Sequence, residues 1–151
     1  MEEWRQGEYL ISTDPARVDA AAVHAYLTQS YWAAGIPRAI VERSIAGALC
    51  FNLWHVPAGG PEAQVGFTRV ISDFATLAYV GDVYVLEAHR GRGLSKWMMQ
   101  LVTAHPRLQG LRRWILATRD AHDLYRRLGF TPLKDPARFM ELHDPNVYGG
   151  A

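Results

Sequence analysis

Apolar positions along the chain recur at two periods, and the switches between them mark out the elements. Glu8 to Thr13 (EYLIST) is short and β-compatible, and Asp14-Pro15 behind it is a cap and first-turn pair for a helix. Val18, Ala21, Ala22, Ala25 and Tyr26 then repeat at helical spacing and predict one apolar helix face. Gly35 and Pro37, within SYWAAGIP, break that pattern. A second helix is expected from Arg38 to about Leu49, buried along Val41, Ser44, Ile45 and Ala48.

From Cys50 the period shortens. CFNLWHV, AQVGFTRVIS and ATLAYVGDVYVL read as three strands joined by PAGGP and by a turn at Ser72-Asp73, which makes an antiparallel meander the economical arrangement. Leu94, Trp97, Met98, Leu101 and Val102 restore helical spacing as far as His105-Pro106. Arg112 to Thr118 (RRWILAT) is a buried strand. A short helix follows, with Asp120 as N-cap, Ala121, Leu124, Tyr125 and Leu128 on one face, and Gly129 as its stop. RFMELH, residues 138 to 143, is the last strand candidate. The strand, glycine-rich turn, helix and strand in the middle form one crossover, so that part of the sheet should be parallel. The fold class is α/β with a mixed sheet, and the pattern shows no linker or repeat, so residues 1–151 read as a single domain.

Composition narrows the functional classes. With 49% apolar residues, 21% charged and a net charge of +1, the chain has the balance of an ordinary globular protein. Lys96 and Lys134 are its two lysines, and the arginines gather at Arg107, Arg112, Arg113, Arg119, Arg126 and Arg127. No interleaved aromatics accompany that cluster, so a solvated surface is favoured and no nucleic-acid partner is expected. The six histidines have no metal-ligand spacing, and no metal is expected. The single Cys50 fits a reducing compartment and a core position. MEEWRQGEYL lacks the basic and apolar regions of a signal peptide, and no apolar run approaches the roughly 18 residues of a membrane span. A cytoplasmic protein with no membrane partner is the expectation.

The chemistry centres on Arg90-Gly91-Arg92-Gly93, placed between a strand and a helix. A helix N-terminus offers unpartnered amides and the positive end of the helix dipole, so phosphate is stabilised there. Glycine permits close approach, and arginine adds charge-assisted hydrogen bonds. A plain turn with solvated arginines is the alternative. The P-loop spacing is absent, and the dinucleotide fingerprint fails because Lys96 holds the place of its third glycine.

VYVLEAHRGRGLS resembles the acyl-CoA signature of the GNAT superfamily of N-acetyltransferases, with Ser95 where the pattern has glycine or alanine. LYRRLGF, residues 124 to 130, resembles the same family's terminal helix motif, in which a tyrosine precedes a Gly-Phe pair. The resemblance spans nearly the whole chain. It implies a mixed, mostly antiparallel central sheet flanked by about four helices. It also implies direct transfer of an acetyl group from acetyl-CoA, as co-substrate, to a primary amine.

On that reading the pyrophosphate lies on Arg90, Gly91, Arg92, Gly93, Leu94 and Ser95, and the pantetheine arm pairs with the backbone around Val83 and Val85. Tyr125 is the candidate acid for the departing thiolate, against plain packing on its helix. Asp82 is the candidate base, against a structural ion pair with Arg69 or Arg119 or a water chain in its place. Tyr31 and Trp32 are the candidate acceptor-facing residues; Phe67 reads as core. The acceptor is a small-molecule or a protein amine. A non-catalytic acyl-CoA-binding or interaction module stands as the alternative, and exposed strand edges leave a homodimer open.

Overall fold

Gly7, at φ 58°, lets a two-residue turn join Glu3–Gln6 (β1) to Tyr9–Ser12 (β2), pairing Gln6 with Tyr9. That hairpin begins the fold in a computed structural model, which describes residues 1–149. β1 is a strand the sequence pattern did not predict, because only Trp4 of its four residues is apolar. Asp14 caps a 3-10 turn at Pro15–Arg17. The first α-helix, Ala20–Leu27 (α1), starts later and is capped by Asp19, whose Oδ1 accepts from the Ala22 amide at 3.0 Å. Its buried residues are Val23 and Leu27, whereas Ala21 and Ala25 face outward, so the larger side chains decide which face goes in. The second helix, Arg38–Ala46 (α2), ends three residues before Leu49, which opens the next strand.

The meander is as expected: Leu49–His55 (β3), Ala63–Ser72 (β4) and Leu77–Val85 (β5) pair antiparallel in turn. Asp73 closes the β4–β5 turn by accepting from the amides of Ala75, Thr76 and Leu77 and from the Thr76 hydroxyl. Those bonds hold its carboxyl well below the usual carboxylate range. The chain then crosses through the helix Leu94–Ala104 (α3) to Arg113–Leu116 (β6), which runs parallel to β5, and ends its regular structure in His122–Arg127 (α4). The sheet order is β1-β2-β3-β4-β5-β6, five strands antiparallel in succession and one parallel.

Period-two alternation sends neighbouring residues to different cores. Phe51 and Leu53 join Leu94, Met98, Met99 and Val102 of α3, while Cys50, Phe67 and Tyr84 join Val23, Leu27 and Val41 of α1 and α2. Each fully buried side chain in α3 contributes about 1.5–3 kcal/mol, which anchors the start of that helix against the sheet. Phe67 is fully buried and Cys50 nearly so, as expected of core residues. Burial pushes the Cys50 thiol up to about 12, with Arg69 opposing the shift.

Two expectations fail near the C-terminus. Asp120 does not cap α4; Ala121 occupies that position, and its amide donates instead to Thr118 Oγ1 at 3.0 Å. RFMELH is not a strand. Met140 and Leu142 are essentially fully exposed, at 97% and 105%, and among the described residues the segment is in no ladder. No described helix is long and apolar enough to cross a membrane.

Candidate active site

β5 and β6 pair from Leu77 with Arg113 to Val80 with Leu116 and no further. The edge of β5 from Gly81 to Val85 that faces β6 therefore lacks a ladder partner, and a cavity of about 1130 Å³ opens there. On its other side, β5 is distorted. Tyr84 pairs with Phe67 and Gly81 with Arg69, so Asp82 and Val83 together oppose Thr68 alone. Asp82 absorbs the extra residue in the left-handed region at φ 53°, a conformation that aspartate tolerates better than most side chains.

The bulge places the Asp82 carboxylate beside the cavity. Its Oδ2 accepts from Arg69 Nε at 2.7 Å and its Oδ1 from Trp32 Nε1 at 2.8 Å. The two charged side chains are 8% and 18% exposed, so this is a largely buried ion pair. Of the two structural partners considered for Asp82, Arg69 is the one it meets. Trp32 brings the α1–α2 connection with it, and Tyr31 ties the same connection to the opposite wall. The Tyr31 hydroxyl accepts from the Arg119 amide at 3.3 Å, and the Arg119 guanidinium lies 3.8 Å from the Tyr31 ring centroid. Tyr31 and Trp32 thus bridge β5 and the β6–α4 loop.

α3 supplies the anion-binding end. Gly91 and Gly93 have φ of 79° and 73°, and a Cβ at either position would meet nothing within 4 Å. Backbone conformation, rather than crowding, is what calls for glycine there. Gly93 is the N-cap of α3 and offers no side-chain hydrogen bond to the first turn, and among the described residues no group accepts from the amides of Leu94, Ser95 and Lys96. Arg90 braces the turn: its Nε donates to the Val85 carbonyl at 2.8 Å and its Nη2 to the Tyr26 hydroxyl at 3.3 Å. Arg92 is exposed, Leu94 is buried in the core, and Ser95 lines the cavity. A diphosphate fits this exposed, uncapped helix start, and an extended amide-bearing chain fits the free β5 edge.

Tyr125 lies on α4, 7% exposed, at the cavity wall, with its ring edge-on to Phe130 at 5.8 Å. Burial, and secondarily Tyr31, push its phenol up to about 12, so it stays protonated at neutral pH. Its hydroxyl makes no hydrogen bond to a described residue and remains available to a ligand. Val83 and Val85 lie on the edge of β5 beyond its pairing with β6, where the Val85 carbonyl already accepts from Arg90 Nε.

Three contributors were not singled out from the sequence. Tyr26 and Tyr84 stack at 3.8 Å between ring centroids to form the cavity floor, and burial raises the Tyr84 phenol. Tyr148 reaches the cavity from the far C-terminal end, where its carbonyl lies near Gly35. No local pattern signals these; Tyr26 and Tyr84 are 58 positions apart in sequence.

Comparison with known proteins decides the family. Residues 50–132 match the model of the acetyltransferase (GNAT) domain. A Gibberella zeae protein named as a candidate acetyltransferase is 34% identical over 142 residues, covering 82% of this chain and 79% of that one. The chain belongs to the GNAT acetyltransferase family. A crystal structure of a candidate GNAT acetyltransferase from Xanthomonas campestris pv. campestris is 51% identical, with a TM-score of 0.87, and the match covers 93% of this chain and 96% of the other. The fold also matches a protein from Clostridium acetobutylicum, named a predicted acetyltransferase and solved with acetyl-CoA. There the TM-score is 0.63 and identity 14%, over 89% of this chain and 94% of that one. The mixed six-stranded sheet with four helices is thus the GNAT fold, and the matched domain contains Asp82, the turn from Arg90 to Ser95 and Tyr125, but not Tyr31, Trp32 or Tyr148.

Proposed function

We propose that this GNAT protein moves an acetyl group from acetyl-CoA to a primary amine by direct attack, without an acyl-enzyme. The observation that carries the reading is the conjunction of an uncapped helix start, an unpaired β5 edge and a free, buried phenol around one cavity. Acetyl-CoA supplies an activated acyl group and a thiolate leaving group. Arg90 to Ser95 would hold the pyrophosphate, and the backbone at Val83 and Val85 the pantetheine arm.

In the transfer, a C–N bond forms, the C–S bond breaks and the sulfur takes a proton from Tyr125. The ammonium first gives one proton through Asp82 to solvent in the open cavity, and the second proton, shed by nitrogen once it is acylated, returns to Tyr125 and restores the phenol. Asp82 also attracts the incoming ammonium, because each of its oxygens accepts one protein hydrogen bond and keeps a lone pair free. Tyr31 and Trp32 shape the acceptor side, which takes a small-molecule or a protein amine. A cytoplasmic setting belongs to the same reading.

The test is Tyr125→Phe, assayed by calorimetric binding of acetyl-CoA and by thiol release with an amine panel. Binding should be unchanged while kcat falls by roughly 10²–10⁴, the range of a general acid. Unchanged kcat would remove Tyr125 from the chemistry. Acetyl-CoA binding by the native chain without thiol release to any amine would favour the non-catalytic module instead.

A further inference from the structure

Resting on the acetyl-transfer reading above, we propose that the acceptor is a free α-amino acid with an apolar side chain, its ammonium held by Asp82 and its carboxylate by Arg69. A guanidinium has two kinds of edge that can grip a carboxylate, one made by Nε with a single Nη and one made by the two Nη groups together. Asp82 engages Arg69 at Nε alone, through Oδ2 at 2.7 Å, while its Oδ1 accepts from Trp32 Nε1 at 2.8 Å. Among the described residues nothing accepts from either Nη of Arg69, and the side chain lines the cavity. An anion and a cation thus stand side by side at one wall, each with bonding capacity left over.

A zwitterion completes both members of the pair. The ammonium and carboxylate of an α-amino acid share one carbon, so with nitrogen on a lone pair of Asp82 the carboxylate falls beside the adjoining guanidinium. A simple amine satisfies Asp82 and leaves the Nη groups unmatched. A peptide N-terminus does the same, since its carboxyl group is spent in the next amide bond. A polyamine needs further anions, whereas among the described lining residues the carboxylates are Asp82 and Asp120, and Asp120 adjoins Arg119. The α1–α2 side of the cavity is lined by Ala33, Ile36 and Ile40, which suits an apolar side chain and offers nothing to a second charge. Transfer forms the C–N bond at the α-nitrogen, breaks the C–S bond and yields an N-acetyl amino acid, CoA and one proton.

The test is thiol release from acetyl-CoA with L-valine, L-leucine and L-phenylalanine, each beside its carboxamide and its decarboxylated amine, together with calorimetric binding of the same compounds to the CoA-loaded protein. At least one amino acid should exceed both of its analogues in kcat/KM and in affinity by roughly 10–100-fold, the worth of hydrogen bonds to a charged group. Arg69→Lys keeps a cation against Asp82 but loses the two-pronged edge, so it should shrink that preference while acetyl-CoA binding is retained. The comparison of ligands on the native protein does not depend on the variant folding. Equal use of the analogues, an undiminished preference in the folded variant, or failure of all three amino acids to bind while another amine is acetylated would each overturn the proposal and leave acetyl transfer standing. Selective binding of an amino acid without thiol release to any amine would uphold Asp82 and Arg69 as an amino-acid site and overturn the acetyl-transfer reading.

Discussion

The Asp82–Arg69 pair can be tested as a thermodynamic unit. Asp82→Asn is the right perturbation because asparagine tolerates the left-handed backbone that Asp82 occupies, whereas alanine would add strain of its own. Asparagine can still accept from Trp32, but it removes the charge opposite Arg69. Breaking a buried pair costs about 3–5 kcal/mol, and the residual exposure of both partners reduces that to about 2–4 kcal/mol. Arg69→Met keeps the aliphatic stem and should cost a similar amount by stranding the carboxylate. The double variant should cost less than the sum, with a coupling of about 1.5–3 kcal/mol. Urea denaturation of the four proteins measures it. Single-variant losses below about 1 kcal/mol, or coupling near zero, would refute the claim that this pair is structurally engaged.

Other consequences follow from the same geometry. Gly66→Ala should cost about 1–3 kcal/mol by chemical denaturation, because a Cβ there would lie 2.7 Å from Leu53 Cδ2 and 2.9 Å from the Tyr84 carbonyl oxygen. Gly93→Ala meets no such crowding, so its cost should be about 1 kcal/mol of backbone strain, with acetyl-CoA binding weakened at the same time. Cys50 is raised from 9.0 to about 12 and Tyr125 from 10.0 to about 12. Below pH 9 both are protonated in the folded and unfolded chain; above it the unfolded chain ionises first, so stability should fall steadily between about pH 9 and 12 in thermal melts. A flat profile over that window would show that neither group is held away from solvent.

What could be read from the sequence was local chemistry. α3 announced itself by period and by the glycines before it, and β3 to β5 by alternation and turn residues, because those signals are written within a dozen residues. The turn from Arg90 to Ser95 and the Tyr125 helix were legible for the same reason. β1 was not, since this edge strand has only one partly buried residue, Trp4, and its sole signal was Gly7. The face of α1 was misread because alanines satisfy the helical period without deciding burial, which Val23 and Leu27 do. RFMELH has the alternation of a strand, but a strand is a relation between two segments, and pattern cannot supply the neighbour. The ring of contacts from Trp32 to Asp82, and from Tyr31 to Arg119, exists only once a bulge in β5 has turned one side chain out of register.

The parting of β5 and β6 also divides the site by its tolerance of mutation. The open seam offers main-chain amides and carbonyls, which nearly every residue carries in the same place, so substitutions at Val83 or Val85 can alter the lining without erasing that half of the surface. Proline is the exception, since it alone removes a backbone donor. The Tyr31–Trp32 bridge and Asp82 have no such redundancy, because each contact there depends on one particular side chain. Drift can therefore change the side chains along the β5 seam freely, while the wall built by Tyr31, Trp32 and Asp82 keeps its contacts only if those side chains stay.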